Sequence, residues 1–254
     1  MDLIISDNSA VRMPEEFGRG LNLGLRGSAD YAYGDAAEQF DEALLIPKSE
    51  WQARIKEMEE RKSRISDQIR FAKLPPKNQE QTNYCWGNAP VHCTEIVRMQ
   101  QGEKMVLLSP ASVCAKINGF KNDGGWGKEA LERIISDGIT PVTLWPANAI
   151  NRSYDTVTST AMALKYRVTE WTELQPRNIN QLVSMLLRRV PVAVGYNWWS
   201  HEVTACDPVW LDGDIAVRIR NSWGQWGDGN GFAVLQGNRM LPDDAVCPRV
   251  ALAT

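Results

Sequence analysis

One cysteine stands at the expected start of a helix, in the stretch Asn78-Gln79-Glu80-Gln81-Thr82-Asn83-Tyr84-Cys85-Trp86. The helical pattern continues from Cys85 to about Met99. A sulfur in the first helical turn lies near unpaired backbone N–H groups and the positive end of the helix dipole, which favours the thiolate. Cys85 is therefore a candidate nucleophile. The alternative is core packing, because free cysteine is among the most buried residue types.

A cysteine nucleophile needs a proton acceptor, and the chain offers 2 histidines. Histidine suits that task near neutral pH. His92 lies seven residues after Cys85 on the same expected helix, two turns or roughly 10 Å away, which is too far for direct pairing. We therefore expect His92 to be a structural helix histidine. His201 is expected to reach Cys85 through the fold, from a strand edge, with its ring oriented by an amide such as Asn221.

Two further stretches accompany these residues. Twenty residues after His201 begins the run Asn221-Ser222-Trp223-Gly224-Gln225-Trp226-Gly227-Asp228-Gly229-Asn230-Gly231-Phe232. Between the cysteine and that histidine lies Asn122-Asp123-Gly124-Gly125-Trp126. The missing side chains of Gly124 and Gly125 would let a peptide backbone lie close and pair in extended form, although a plain turn is the alternative.

Together these residues resemble the papain family of cysteine peptidases, over roughly residues 77–235 and in the family's order of glutamine, cysteine, glycine pair, histidine and asparagine. The resemblance implies a catalytic set of Cys85, His201 and Asn221. It also implies an oxyanion hole formed by the Gln79 side-chain amide and the Cys85 backbone N–H. The chain resembles a divergent member of the family, expected from a bacterium or a phage.

The resemblance also implies which residues bind substrate, namely Gly124, Gly125, Trp126 and Trp223. The glycine pair would line the cleft. Trp223 would shield the hydrogen bond between His201 and Asn221 from water, which is compatible with its being simple core. No metal and no organic cofactor is expected.

The sequence departs from the family pattern at several points. Thr82 stands where a disulfide cysteine is usual, and the partner position near Asn122 also lacks one. Asn83-Tyr84 replaces the usual Gly-Ser and is expected to put bulk beside the cleft. The nucleophile and its histidine are 116 residues apart, short of the usual spacing. The shortened segment carries Trp198-Trp199, which predicts an aromatic wall on that side.

Glu202, next to the candidate base, has two interpretations. If it faced the cleft, it could favour a basic side chain on the substrate and raise the pKa of His201. If it faced away, as strand alternation permits, it would be a solvated acid. The second interpretation is favoured.

Composition excludes several classes of function. The 254 residues include 28 Lys+Arg and 31 Asp+Glu, a net charge of -3 that argues against a nucleic-acid binder. No apolar stretch approaches the length needed to span a bilayer, and the first residues lack the pattern of a secretory signal. Five cysteines without a CxxC pair argue against a disulfide framework or a zinc site. A reducing, cytoplasmic location is expected, with a phage particle as the alternative.

Three segments are expected along the chain. Residues 1–48 form an extended acidic arm, because residues 1–47 carry 3 Lys+Arg against 9 Asp+Glu; a disordered tail is the alternative. Residues 49–73 form one amphipathic helix, which is structural, docks on a partner, or inhibits as a pro-segment would. Residues 74–254 form the papain-like domain, with a helical lobe over about 74–140 and a β lobe over about 141–254.

The pattern within that domain predicts an α+β fold of two lobes. Helices are expected at residues 85–99, 110–117, 128–136 and 180–189. Strands are expected at residues 190–195, 202–206, 215–219 and 232–235, which favours an antiparallel sheet. The crossing between the lobes is expected after Asp137-Gly138-Ile139.

The predicted function is thiol-dependent hydrolysis of peptide bonds through a thioester acyl-enzyme. A second enzymatic alternative is amide or isopeptide hydrolysis, or acyl transfer, on a non-protein substrate. A third is a non-catalytic papain-like scaffold that serves binding or assembly. The expected partners are a peptide or protein substrate and, through residues 1–73, a partner protein or larger assembly, with neither nucleic acid nor membrane.

Overall fold

The computed structural model describes residues 2–10, 16–23 and 38–253. The helices are α1 (Lys48–Glu60), α2 (Ile65–Ala72), α3 (Cys85–Gln100), α4 (Ala111–Ile117), α5 (Gly127–Asp137), α6 (Val157–Ala163) and α7 (Ile179–Leu187). The strands are β1 (Ile4–Ile5), β2 (Glu38–Gln39), β3 (Val168–Glu173), β4 (Val192–Tyr196), β5 (His201–Leu211), β6 (Asp214–Arg220), β7 (Phe232–Gln236) and β8 (Asp244–Ala251). None of the helices in these residues combines the length and apolar character that crossing a membrane requires.

The strands form one mixed sheet in the order β1-β7-β6-β5-β4-β8-β3-β2. The inner neighbours are antiparallel, and the short strands β1 and β2 add in parallel at the two edges. The hairpin between β5 and β6 turns at Asp212 and Gly213, whose φ values are 52° and 87°. A two-residue Asp-Gly connection favours this turn because both positions need positive φ. The α+β class is confirmed.

Helix α3 is buried in the second of two large apolar cores, which also includes residues of β4 and β8. Every residue from Cys85 to Arg98 is buried. One core joins the sheet to α1 and α7, and the other surrounds α3, α4 and α5. The predicted helices at residues 85–99, 110–117, 128–136 and 180–189 correspond to α3, α4, α5 and α7. Packing on both sides fixes the position of the first residue of α3 beside the central strands.

The amphipathic segment is two helices, so the prediction of a single helix over residues 49–73 is wrong. Helix α1 ends at Glu60, and Lys62 takes a left-handed conformation with φ of 49°. Arg64 then restarts the helix by bonding Asp67 at 2.9 Å. The apolar spacing conceals this break, since Met58 and Ile65 are seven residues apart, as two continuous turns would require.

Both helices pack their apolar stripes on the rest of the chain. Trp51, Ile55 and Met58 of α1 enter the core that α7 and the sheet share. Ile65 and Ile69 of α2 enter a smaller cluster that includes residues of α3 and β7. The stripe is therefore covered from within the same chain.

The described parts of the acidic arm are attached to the sheet. Ile4 and Ile5 pair with Val234 and Leu235 of β7. Asp2 forms an ion pair with Arg218 at 2.9 Å. These contacts agree with an ordered arm rather than a disordered tail. The arm residues 11–15 and 24–37 lie outside the described residues.

Candidate active site

Cys85 is the first residue of α3, as predicted. The preceding Tyr84 is the N-cap and has φ of −107° and ψ of 30°. The Cys85 side chain is 0% exposed. Its sulfur lies near the backbone N–H groups of Gly20, Trp86 and Glu202. One of these neighbours, Gly20, belongs to the arm, so the arm contributes to covering the candidate nucleophile.

His201 and Asn221 meet at one end of the β5–β6 pair. His201 begins β5, and Asn221 follows the last residue of β6. His201 Nε2 is 2.8 Å from Asn221 Oδ1, which also accepts from the Ser222 backbone N–H at 2.7 Å. An amide oxygen only accepts, so Nε2 must carry the proton. In the neutral ring Nδ1 then has a free lone pair, and within the described residues this buried atom has no hydrogen-bond partner.

Tryptophan rings enclose the imidazole. Trp223 stacks on His201 with ring centroids 4.5 Å apart and is 2% exposed. Trp199 meets His201 edge-on at 5.1 Å and also packs against Trp223 and Trp226. Trp198 stacks on Trp199 at 5.1 Å. The shortened segment therefore builds an aromatic wall beside the ring, and Trp223 has the shielding position expected of it.

Gln79 holds the two sides of the site together. Its backbone N–H donates to the Ser222 carbonyl at 2.8 Å. Its side-chain oxygen accepts from the Ser222 hydroxyl, which fixes the direction of the amide. The side-chain Nε2 donates to the carbonyls of Thr82 and Gly18, each at 2.8 Å. The predicted oxyanion donor thus already binds two backbone carbonyls, and one of them, that of Gly18, belongs to the arm.

Residues 18–22 of the arm cross the site as an extended peptide. The Gly125 N–H donates to the Gly20 carbonyl at 2.8 Å, and the Asn22 N–H donates to the Gly125 carbonyl at 3.0 Å. Leu21 and Gly125 form a parallel β-bridge. Further back along the arm, the Gly18 N–H donates to the Glu80 carbonyl at 2.7 Å. Gly125 therefore pairs with the backbone of the arm. The substrate-binding role expected of Gly124 and Gly125 stays a prediction.

The glycines of the arm permit this approach. A Cβ on Gly20 would lie 2.0 Å from the Asn83 carbonyl oxygen, and one on Gly18 would lie 2.1 Å from that of Thr82. A Cβ on Gly124 would lie 2.4 Å from the Gly20 carbonyl oxygen. Sequence reasoning missed the arm's place in the cleft. Gly18 and Gly20 were the available signal, because glycines two apart in an extended chain lie on one face and allow close contact.

The Cys85 thiolate expected from the helix start is not favoured in this arrangement. Burial raises the pKa of the Cys85 thiol to about 12, and the nearby Glu202 adds to the rise. Burial lowers the pKa of His201 to about 4, although its hydrogen bond with Asn221 raises it. Desolvation of the charged forms outweighs the helix dipole. The enclosed site therefore holds a neutral thiol and a neutral imidazole at pH 7.

Glu202 is not a solvated acid, so the favoured interpretation of this residue is wrong. It is 1% exposed, and neither carboxylate oxygen makes a hydrogen bond of normal geometry within the described residues. Burial raises its pKa well above the usual range, Asp244 raises it further, and the nearby Gly127 backbone N–H partly lowers it. Strand alternation failed here because β5 is covered on both faces from His201 to Val209.

Three other residues singled out in the sequence are Trp126, Tyr84 and Asn83. Trp126 is the N-cap of α5, and its indole N–H is buried without a hydrogen-bond partner in the described residues. Tyr84 does not put bulk beside the cleft, because it is 0% exposed and bonds the Lys121 carbonyl at 2.6 Å. Asn83 does border the arm at Gly20.

Asn122 joins two loops at the place where the resemblance implied a disulfide that the sequence lacks. Asn122 Oδ1 accepts from the Asn83 backbone N–H at 2.7 Å, and the Asn122 carbonyl accepts from Asn83 Nδ2 at 2.9 Å. Asn122 Nδ2 donates to the Gln81 carbonyl at 3.2 Å. All five cysteines are free and buried. These hydrogen bonds join the two loops that a disulfide would otherwise link.

His92 is the structural histidine that its spacing predicted. It is buried between Glu95, whose Oε2 is 3.3 Å from Nδ1, and Arg220, whose Nη1 is 3.2 Å from Nε2. Both ring nitrogens are therefore occupied. This leaves His201 as the candidate base.

Comparison with known proteins identifies the fold. No protein-family model matches the sequence, and no curated protein matches it. Xylellain, a cysteine protease from Xylella fastidiosa, is similar in structure, with 16% identity and a TM-score of 0.65 over 95% of this chain and 100% of that chain. Procathepsin B S9 from Trypanosoma congolense has 14% identity and a TM-score of 0.60 over 75% of this chain and 77% of that chain.

The digestive procathepsin L 3 of the Tenebrio molitor larval midgut is also similar. Its identity is 19% and its TM-score is 0.57, over 69% of this chain and 66% of that chain. This chain thus spans just under two thirds of that procathepsin. The fold is that of the papain-like cysteine proteases, as the resemblance predicted.

Proposed function

We propose that this protein is a papain-like cysteine peptidase whose own arm closes the site in the conformation described. The observation that carries the proposal is the extended peptide of residues 18–22. It pairs with Gly125 and presents the Gly18 carbonyl to the Gln79 amide. A cleft that binds a peptide backbone beside a cysteine at a helix start and a histidine–asparagine pair has the parts that peptide hydrolysis needs.

The proposed reaction requires the arm to leave. Water then reaches the site, the desolvation that keeps both groups neutral decreases, and a Cys85 proton can pass to His201 Nδ1. The thiolate attacks the substrate carbonyl. The Gln79 amide and the Cys85 backbone N–H stabilise the oxyanion. Asn221 keeps the Nε2 proton in place, so that Nδ1 faces the reaction.

The second half of the reaction uses the same ring. His201 gives its proton to the leaving amine, and a thioester between Cys85 and the acyl group remains. His201 then removes a proton from water, which attacks the thioester and releases the acid. The carbon–sulfur bond breaks as the acid leaves, and His201 passes the proton taken from water to the Cys85 thiolate, so the enzyme regains its starting protonation state.

The arm, rather than helices α1 and α2, is the proposed inhibitory element. Gly18 and Gly20 hold it against the backbone, and their contacts leave no room for a Cβ. Arg19 lies close enough to His201 to lower the pKa of the ring further. The helices pack their apolar side chains into the cores instead. Two of the similar structures are pro-forms by name, which supports a closed state of this kind.

The substitution Gly20→Val tests the proposal in the full chain. A side chain at this position collides with the Asn83 carbonyl oxygen and should displace the arm. We expect faster labelling of Cys85 by a thiol-reactive peptide epoxide and the appearance of peptide hydrolysis. Glu16→Val is the matched control, because Glu16 is an exposed arm residue. Peptide hydrolysis that persists in Gly20→Val with Cys85→Ala would overturn the nucleophile assignment.

The complete burial of Cys85 favours a second candidate, a scaffold without catalysis. In that case the arm is a permanent part of the fold. Gly20→Val would then lower stability without selective labelling, and the epoxide would modify all five cysteines slowly and equally. Peptide mapping of the labelled protein separates the two candidates.

A further inference from the structure

Three residues form a row across the central sheet beneath the arm. Gly195 of β4 pairs with Glu202 of β5 on one side and with Asp244 of β8 on the other. Directly paired residues of antiparallel strands project to the same face. The two carboxyl side chains therefore lie on one face, on either side of a residue that has no side chain.

Leu21 of the arm fills the space above Gly195. A Cβ placed on Gly195 would lie 3.1 Å from Leu21 Cδ2 and 3.3 Å from Asp244 Cβ. Leu21 is 6% exposed. An apolar side chain thus occupies a pocket that has a carboxyl group on each side, and backbone pairing with Gly125 holds it there.

The Glu202 carboxyl is built into this site close to the Gly127 backbone N–H. A Cβ on Gly127 would lie 2.0 Å from Glu202 Oε1, so the glycine that begins α5 makes room for the carboxyl. Both oxygens are buried without a hydrogen bond of normal geometry within the described residues. Such a group is costly to leave unsatisfied, and it calls for a donor or a cation.

The basic side chain nearby is already engaged. Lys128, the second residue of α5, bonds Glu173 of β3 at 2.5 Å. Burial is the main cause that raises the pKa of Asp244 to about 6. The charge of Glu173 raises this pKa further, and the charge of Lys128 lowers it. Lys128 forms an ion pair with Glu173, and Glu202 and Asp244 are two further acids beside the pocket.

We propose that, once the arm leaves, the Leu21 pocket selects peptides carrying an arginine or lysine side chain, with Glu202 and Asp244 as the specificity-determining residues. The apolar stem of such a side chain takes the place of Leu21 above Gly195. Its charged end reaches the two carboxylates and supplies the hydrogen bonds that Glu202 lacks. This inference rests on the proposed function, because it names the substrate class of the same cleft.

An apolar residue, Leu21, at this position of the arm is consistent with a pocket that prefers a basic side chain. Leu21 fills the pocket but leaves the two acids of the pocket unpaired. The arm therefore binds less tightly than a peptide with a basic side chain at the same position would. A peptide with arginine at this position can therefore compete with the arm. An apolar preference would require both acids to stay neutral in the open site.

The test uses the full chain with Gly20→Val and fluorogenic peptides in which each residue before the reporter amide is scanned with arginine, lysine and norleucine. Norleucine has an unbranched apolar stem and no charge. At one position we expect arginine to exceed norleucine in kcat/KM. In Glu202→Gln and in Asp244→Asn that ratio should fall by about tenfold or more, because a charge-assisted hydrogen bond is lost. Asp214→Asn, at an exposed acid of β6, should leave the ratio unchanged.

Binding separates failure of this inference from failure of the proposed function. The same peptides are titrated against the Gly20→Val chain that also carries Cys85→Ala, by fluorescence anisotropy. Tighter binding of the arginine peptide that weakens in Glu202→Gln supports the pocket even if no peptide is hydrolysed. Two results would overturn the inference and leave the peptidase proposal standing. One is a kcat/KM for norleucine that equals or exceeds that for arginine at every position. The other is a ratio of arginine to norleucine kcat/KM that is unchanged in both acid variants.

Discussion

His201 Nε2 donates to Asn221 Oδ1 at 2.8 Å, and this one bond decides which ring nitrogen is free to act as a base. The direction of the bond is fixed because Asn221 Oδ1 also accepts from a backbone N–H. The Nδ1 lone pair is buried without a partner within the described residues. An asparagine in this role orients the ring without adding a charge, because its amide oxygen accepts a hydrogen bond and carries no ionisable group.

Replacing the orienting amide should impair turnover through the histidine. In the Gly20→Val chain, we expect Asn221→Ala to lower kcat by at least about tenfold, because the ring loses its fixed tautomer and orientation. Asn221→Asp retains an acceptor at the same place and should recover part of the loss. Initial rates on a peptide substrate give both values. Equal rates for Asn221→Ala and its Gly20→Val parent would contradict the assignment.

Removing the sulfur should abolish turnover and leave the fold intact. Cys85→Ala in the Gly20→Val chain is expected to reduce peptide hydrolysis by at least about 10³-fold, since the covalent route is lost. The change deletes one buried atom, so the free energy of unfolding should change by about 1 kcal/mol. Urea denaturation followed by circular dichroism checks the fold. Cys114→Ala, at another buried cysteine, is the matched control and should retain activity.

Gln79→Ala should change two observables in opposite directions. Loss of the Gln79 amide removes its bond to the Gly18 carbonyl, so the arm is held less firmly and Cys85 in the native chain should be labelled faster. Turnover in the Gly20→Val chain should fall by about 10²- to 10³-fold, the usual cost of losing an oxyanion donor. Gln81→Ala, at an exposed side chain in the same loop, should change neither. A parallel change in labelling and turnover would argue against the dual role.

The sequence predicted the parts of the site that depend on spacing. Cys85 falls at a helix start because the apolar pattern begins there, and His201 falls at a strand start because the β-rich run begins there. The strands β3 and β8 were missed. Pro248 lies within β8, and a proline inside a run weakens the sequence pattern of a strand. The mixed polar pattern of β3 does not predict a strand either, and β3 is placed in the sheet by pairing with β8.

The features of the site that the sequence did not predict depend on contacts between segments that are distant along the chain. No local pattern shows that Gly18 and Gly20 of the arm contact the loop before α3. Nor does alternation along β5 show that Glu202 is enclosed, because the covering residues come from α5 and β8. The charge states of the site follow from this enclosure, which is why the thiolate expected from the helix dipole is absent from the closed form.

The two buried histidines predict a stability that decreases in acid. Burial holds the pKa of both His92 and His201 at about 4, below the unfolded value of about 6.5. A histidine whose pKa is depressed on folding contributes fully above pH 6.5, and the contribution is lost as the pH falls towards 4. The acids Glu202 and Asp244 act in the opposite direction, because their raised pKa values favour the folded state at low pH.

A variant comparison isolates the contribution of His201 from these opposing groups. In the Cys85→Ala chain, which removes self-cleavage, urea denaturation is measured at pH 7.5, 6, 5 and 4 with His201 and with His201→Asn. The free energy of unfolding of the His201 chain should fall by about 3 kcal/mol more than that of His201→Asn between pH 7.5 and 4, since protonation favours the unfolded state by that amount. Glu202, Asp244 and His92 are the same in both chains and cancel. Parallel pH curves would mean that the ring is not held neutral by burial, and the closed site would then lack the enclosure on which the arm's inhibitory role depends.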